Sequence, residues 1–230
     1  MSKPSEAALR RQLIETCRSM NALGINQGKS GNASARLDAK RFLVTPSGVP
    51  YDRLRPVDIA VMTLDGTWFG PRRPSSEWRF HRDILAARPE AGAVVHTHGP
   101  LATSLACLGE GIPAFHYMVA AAGGDSIRCA PYATFGTQLL SDHALAALKD
   151  RRACLLANHG LIALGADLAA ALALAVEVEA LAGMYLRARV AGRPIILPRA
   201  EMRRVIALFA TYGTPAFPDR DLRHGGERAG

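Results

Sequence analysis

The stretch Val94-Val95-His96-Thr97-His98-Gly99 joins a short apolar run to two histidines one residue apart. Successive side chains of a strand point to opposite faces, so His96 and His98 share a face and their imidazoles can converge on one point. A second apolar run, Ala153-Cys154-Leu155-Leu156-Ala157, also stops at a histidine, His159, followed by Gly160. Two buried strands ending side by side would gather three imidazoles at one sheet edge. Three neutral imidazoles leave a zinc ion its fourth position for substrate. A lone histidine at a strand end is more often a packed or surface residue, so the metal reading rests on the three together and on the residues that follow.

The chain has 230 residues, 49% of them hydrophobic, enough for one well-filled core, and residues 1–213 read as a single domain. Past Tyr212-Gly213, residues 214–230 are rich in Pro, Asp, Arg and Gly and are expected to form a disordered basic tail. The alanine-rich run near residue 170 is broken by Glu177 and Glu179, so no membrane span is expected. The N-terminus shows no signal-peptide core, which makes a cytoplasmic location the default. Cys17, Cys107, Cys129 and Cys154 stand far apart among apolar neighbours, which reads as reduced thiols and excludes a zinc ribbon. The formal charge of +8 comes from scattered arginines without an aromatic-basic module, so nucleic acid is not expected as a partner. A basic surface also draws in small anionic substrates.

Leu9, Leu13, Cys17, Met20 and Leu23 recur at intervals of three and four, which predicts an amphipathic helix over about 5–23, ended by Gly24. Asn26-Gln-Gly-Lys-Ser-Gly-Asn-Ala-Ser then forms a loop whose backbone N–H groups and Asn32 amide can wrap an anion. It is not a Walker loop, because that spacing requires glycine where Leu23 stands. Phe42 to Gly48 reads as a strand entering a turn, with Ser47 offering a hydroxyl and Gly48 an unhindered N–H. A strand over 59–64 turns at Asp65-Gly66, and short strands joined by hairpins argue for antiparallel pairing. Pro74-Ser75-Ser76-Glu77 is predicted to open a helix that closes at Pro89, with either serine as cap and Glu77 in its first turn. Such an end is a seat for phosphate, although a first-turn acid also serves the helix dipole alone. Further helices are expected over about 100–108, 137–149, 168–190 and 200–210, with strands near 127–131 and 161–165.

The ordered set of motifs resembles the class II aldolase/adducin superfamily, in its L-fuculose-1-phosphate aldolase branch. The likeness runs from about Leu13 to Gly213 through Asn26-Gln-Gly, Gly31-Asn32, Thr45-Pro-Ser-Gly48, Pro74-Ser-Ser-Glu-Trp-Arg-Phe-His81, Val94-Val-His-Thr-His98, His116-Tyr-Met-Val-Ala-Ala-Ala-Gly-Gly124, Ala130-Pro-Tyr-Ala-Thr-Phe-Gly-Thr137 and Asn158-His-Gly160. The resemblance implies an α/β fold, three-layer α/β/α around a mostly antiparallel sheet, and a homotetramer with active sites at subunit interfaces. It implies His96, His98 and His159 as ligands of Zn2+, or of another divalent ion such as Mn2+ or Co2+. Glu77 is implied as acid/base, coordinating the metal when substrate is absent. Gly31, Asn32, Ser47, Gly48, Ser75 and Ser76 match the phosphate-binding positions. Tyr117, reaching from a neighbouring subunit, matches the residue that handles the proton on the aldehyde oxygen, and Tyr212 matches a second tyrosine; amphipathic packing at an interface is the alternative for both.

The implied reaction cleaves a ketose 1-phosphate reversibly to dihydroxyacetone phosphate and an aldehyde through a zinc-stabilised enediolate. The sugar is L-fuculose 1-phosphate or a 5-deoxyribulose or 5-methylthioribulose 1-phosphate, since the departures at His-Thr-His-Gly-Pro, at Asn158 and in the tail leave the aldehyde half open. Alternatives on the same fold are a pentulose-phosphate 4-epimerase, which generally carries Asp where Glu77 stands, and a methylthioribulose-phosphate dehydratase. The non-enzyme alternative is an adducin-like interaction domain, which has little reason to keep three ligand histidines beside a carboxylate.

Overall fold

The computed structural model describes residues 4–211. Eight strands form one sheet: Asn32–Arg36 (β1), Arg41–Val44 (β2), Ala60–Thr63 (β3), Trp68–Phe69 (β4), Ala93–Thr97 (β5), Arg128–Ala130 (β6), Ala153–Leu156 (β7) and Gly160–Gly165 (β8). Their order is β4-β3-β2-β1-β5-β8-β7-β6, and every neighbouring pair is antiparallel except the parallel β6 and β7. The hairpin signals in the sequence therefore point to the right pairing.

Six α-helices flank the sheet: Glu6–Ala22 (α1), Trp78–Ala87 (α2), Pro100–Cys107 (α3), Gln138–Ala147 (α4), Leu168–Ala191 (α5) and Arg199–Thr211 (α6). Strand alternation divides the interior into two cores. Ala33, Leu43, Val95, Leu155 and Leu161 point to the side packed by α1, α3 and α5, while Phe42, Val44, Val94, Leu156 and Ile162 meet Phe80 and Ile84 of α2 and Leu140 of α4. Each fully buried side chain of this size contributes roughly 1.5–3 kcal/mol, so both faces are strongly specified. The result is the expected three-layer α/β/α arrangement. α5 is long and apolar enough to cross a membrane by length and composition, but half of its most apolar window is buried within the fold.

Helix ends follow local chemistry. Ser5 accepts from the Ala8 N–H to start α1, Thr137 caps α4 and Asp167 caps α5. The helix expected to open at Pro74 does not. Pro74 forms a bridge with Pro46 and the Ser75 N–H donates to the Thr45 carbonyl at 2.9 Å, so this segment lies along the end of β2 and α2 starts only at Trp78. The serine hydroxyls do not cap α2, whose N-cap is Glu77 with no side-chain cap bond. Residues Tyr117–Ala122, read in the sequence only as a connecting run, form a 3-10 helix. All four cysteines are free; Cys17 and Cys154 are buried, but Cys107 is exposed, so it does not serve as a small core hydrophobe. Tyr212 and the tail over 214–230 lie outside the described residues.

Candidate metal centre and active site

Strand register assembles the histidines. Asn32 of β1 pairs with His96 of β5, and His96 in turn pairs with Ile162 of β8. His159 sits in the tight turn between β7 and β8, where the preceding Asn158 takes a left-handed conformation (φ 54°) that Asn tolerates better than most residues. Gly160 follows because a Cβ there would stand 2.7 Å from His98 Cδ2. His98, just past β5, is held through its backbone N–H, which donates to Asn26 Oδ1 at 3.3 Å.

Ligand atoms of Glu77, His96, His98 and His159 lie within 4.8 Å of one another. The Nε2 atoms of His96 and His98 are 2.9 Å apart. Glu77 Oε2 is 3.3 Å from His96 Nε2, and Oε1 is 3.1 Å from His159 Nε2. Arms of 2.0–2.1 Å in a tetrahedral site give ligand separations of about 3.4 Å, and these three separations are close to that value. Glu77 Oε1 is buried and accepts no hydrogen bond, despite its closeness to His159. A buried carboxylate oxygen left unsatisfied among three imidazole nitrogens is the environment a divalent cation completes, and the residues present fit one.

Burial pushes the Glu77 carboxyl up, but its closeness to the His96 and His159 rings outweighs that and holds the group well below the usual carboxylate range. Burial, aided by the neighbouring His96 and His159 rings, lowers His98 to about 3. His98 is therefore a neutral imidazole at pH 7, the form that ligates a metal.

The anion-binding candidates come together at the adjacent edge. Thr45 N–H donates to the Ala33 carbonyl and Ser47 N–H to the Arg73 carbonyl, so the start of β1, the turn after β2 and the Pro74–Ser76 segment lie side by side. Gly31 is buried where a Cβ would lie 2.6 Å from both the His96 carbonyl and Asn26 Oδ1. Its own carbonyl accepts from Tyr51 Oη at 2.5 Å. Ser47, Gly48 and Ser76 are exposed, whereas Ser75 is buried and accepts from the Glu77 N–H at 3.2 Å. Asn32 is buried with its Nδ2 donating to Glu77 Oε2 at 2.9 Å, which leaves its second N–H for another acceptor. A cavity of about 300 Å3 opens onto Ser76, Glu77, His98 and His159, walled by Tyr132, Ala133 and Phe135. A groove of about 600 Å3 against α5 contains none of these groups. Tyr117 is 52% exposed on the 3-10 helix and does not line the catalytic cavity, and Tyr212 lies outside the described residues.

Four further residues support the site without having been singled out in the sequence. His81 is buried one turn after Glu77, and Ser34 is buried two residues after Asn32 on the same strand face. Those i,i+4 and i,i+2 spacings were the available signals. Arg79 donates to the Gly136 carbonyl at 2.7 Å, fixing the loop that carries Tyr132 and Phe135 to the start of α2. Glu179 of α5 accepts from the Leu101 and Ala102 N–H groups at 2.7 and 2.9 Å, holding the first turn of α3 directly after His98.

The chain matches the model of the Class II Aldolase and Adducin N-terminal domain family over residues 11–186. It is 58% identical over 212 residues to the 5-methylthioribulose-1-phosphate/5-deoxyribulose-1-phosphate aldolase of Rhodospirillum rubrum, covering 92% of this chain and 96% of that protein. It is 48% identical over 206 residues to the L-fuculose phosphate aldolase of Escherichia coli strain K12, covering 89% of this chain and 95% of the relative. A solved L-fuculose 1-phosphate aldolase superposes with a TM-score of 0.85 at 38% identity, over 88% of this chain and 96% of the other.

Proposed function

This chain belongs to the class II aldolase and adducin family, in the L-fuculose-1-phosphate aldolase-like branch, and on that premise we propose that it cleaves a ketose 1-phosphate reversibly to dihydroxyacetone phosphate and an aldehyde. It is an aldehyde-lyase of the class II type. The observation that carries the substrate reading is the unsatisfied Glu77 Oε1 facing three converging imidazoles beside a hydroxyl-rich edge.

His96, His98 and His159 would hold a divalent ion, which we take to be zinc, with Glu77 completing the set when substrate is absent. When bound, the ion supplies Lewis acidity for negative charge developing on the oxygens of the three-carbon fragment. Glu77 accepts the C3 proton of dihydroxyacetone phosphate in the synthetic direction and returns it in cleavage. Gly31, Asn32, Ser47, Gly48, Ser75 and Ser76 hold the phosphate, and that remote binding energy orients C3 at the carboxylate. Glu77 follows Ser76 directly, so anchor and base share one short segment. Tyr117, supplied by a neighbouring copy in a homotetramer, hands the proton to the aldehyde oxygen, and Tyr212 is the second tyrosine of the proposed set. A single catalytic domain over residues 1–213 carries all of these positions.

For the aldehyde half, the name carried by the 58% identical relative supports a 5-deoxyribulose or 5-methylthioribulose 1-phosphate over fuculose 1-phosphate. The apolar wall of Tyr132, Ala133 and Phe135 suits a methyl or methylthio terminus. Steady-state kcat/KM on the three sugar phosphates tests this, with the two 5-deoxy substrates expected to lead. Failure of the zinc-loaded protein to cleave any of them would end the aldolase assignment to ketose 1-phosphates.

A further inference from the structure

Four buried side chains form a directed series from the sheet to the carboxylate. Ser34 Oγ lies 2.7 Å from His81 Nδ1, His81 Nε2 lies 2.5 Å from Asn32 Oδ1, and Asn32 Nδ2 donates to Glu77 Oε2 at 2.9 Å. Ser34 and His81 are fully buried, and Asn32 and Glu77 are each 4% exposed, so water does not substitute for any of these partners. The polarity of the series is fixed from its acidic end. An ionised carboxylate only accepts, so Asn32 must present its NH2 to Glu77 and its carbonyl to the ring. The ring must then carry its proton on Nε2, which leaves Nδ1 to accept from the Ser34 hydroxyl. The three contacts of the series are satisfied together in this arrangement.

We propose that His81 is a positioning residue for the proton transfer at Glu77, acting by locking the Asn32 amide so that Glu77 Oε2 stays occupied and Oε1 alone faces the substrate. Rotating the Asn32 amide by half a turn would set its carbonyl against Glu77 Oε2 and its NH2 against the His81 N–H. Both contacts are repulsive: Glu77 Oε2 would lose its Asn32 donor and the His81 Nε2–H its acceptor. Ser34 completes the series, donating its O–H to Nδ1 in the tautomer that Glu77 and Asn32 impose on the ring. Among the described residues no other side chain reaches Asn32 Oδ1 or Glu77 Oε2 within hydrogen-bond distance, apart from His96 Nε2 of the metal cluster, 3.3 Å from Oε2. The proposal rests on the reading of Glu77 as the group that moves the C3 proton.

The experiment is deuterium incorporation at C3 of dihydroxyacetone phosphate by the full-length zinc-loaded protein, with zinc content measured on every variant. His81→Phe keeps the ring volume, removes both hydrogen bonds, and should lower the exchange kcat about 10- to 100-fold, the usual cost of losing an outer-shell partner. His81→Gln restores an N–H toward Asn32 and should return kcat to within about 3-fold of wild type. In an Asn32→Leu background His81→Phe should cost less than about 3-fold more, because there is no amide left to lock. Equal losses in both backgrounds, or a wild-type rate in His81→Phe, overturns the proposal. Should His81→Phe fail to fold, Ser34→Ala carries the same cycle with an expected loss of about 3- to 10-fold. A readout independent of turnover is the ring nitrogen shifts of His81 in metal-free protein, where protonation at Nδ1 instead of Nε2 also overturns it. Wild-type protein that cleaves sugar phosphate yet exchanges nothing removes Glu77 from the mechanism, and His81 with it; exchange with non-interacting variants removes His81 alone.

Discussion

His96 Nδ1 lies 2.8 Å from the carbonyl oxygen of Leu161, and this one contact decides what the other side of the ring can do. A carbonyl only accepts, so Nδ1 carries a proton and Nε2, which faces His98 and Glu77, is the nitrogen left to ligate a metal. The ligand set is thereby oriented by the sheet itself.

Metal-free protein should therefore lose cleavage and regain it with zinc. Zinc at a hundredfold excess over its dissociation constant should stabilise the fold by about 2.7 kcal/mol, which raises the midpoint of thermal unfolding by roughly 5–10 °C. Full activity in protein shown by elemental analysis to be metal-free would refute the centre.

Glu77→Gln keeps the shape of the side chain and removes the base. Exchange of the C3 proton should fall by about 10²- to 10⁴-fold while zinc content stays near wild type. An unchanged exchange rate would assign the base elsewhere.

Tyr117→Phe should slow carbon–carbon cleavage more than it slows C3 exchange, because the role proposed for the phenol is at the aldehyde oxygen and not at the C3 proton. Single-turnover cleavage and exchange rates measured side by side decide the matter, and equal reductions count against the aldehyde-side role.

The Glu179 carboxylate receives two backbone N–H groups at the start of α3 and leaves no room for a side chain at Gly99. Glu179→Gln turns one of those contacts into N–H against N–H and should destabilise the protein by about 2–3 kcal/mol, measured by urea unfolding. Since His98 lies just before this turn, zinc affinity should drop as well. A stable variant with unaltered affinity would separate the helix anchor from the metal centre.

Burial, with the neighbouring His96 ring, lowers His81 to about 3. The unfolded chain binds a proton at this residue near pH 6.5 and the native protein does not until about 3, so falling pH favours unfolding across that window. The slope for one such histidine is about 1.4 kcal/mol per pH unit. Metal-free wild type should thus lose stability faster than His81→Gln between pH 6.5 and 4.5, by about that amount per unit, in urea titrations. Parallel slopes would mean that His81 already holds a proton in the native protein.

The converging imidazoles were legible in the sequence because a strand has a fixed two-residue period, and His96 and His98 needed nothing else to share a face. Antiparallel pairing was legible from Asp65-Gly66 and its neighbours for the same local reason. The start of α2 was not. Pro-Ser-Ser-Glu carries every local mark of a helix entry, yet Pro46 and Thr45, almost thirty residues earlier, bind that segment along β2 and delay the helix to Trp78. His81 went unread because a histidine on an amphipathic helix looks like any other inward position until Asn32 and Ser34 are brought against it. Tyr117 is exposed in one chain, and no periodicity along a chain reports what a second copy would place beside it.

Glu77, Arg79 and His81 all leave the first turns of α2, and Arg79 ties Gly136 of the aromatic loop to that same end. In the proposed mechanism the carboxylate serves the invariant three-carbon half of a sugar and the wall meets its variable half, so both are bolted to one rod. On that reading, exchanging side chains at 132, 133 or 135 should retailor the enzyme to a different aldehyde while the acid and its struts keep their places, and this loop is where the catalyst would be redirected toward new carbon skeletons.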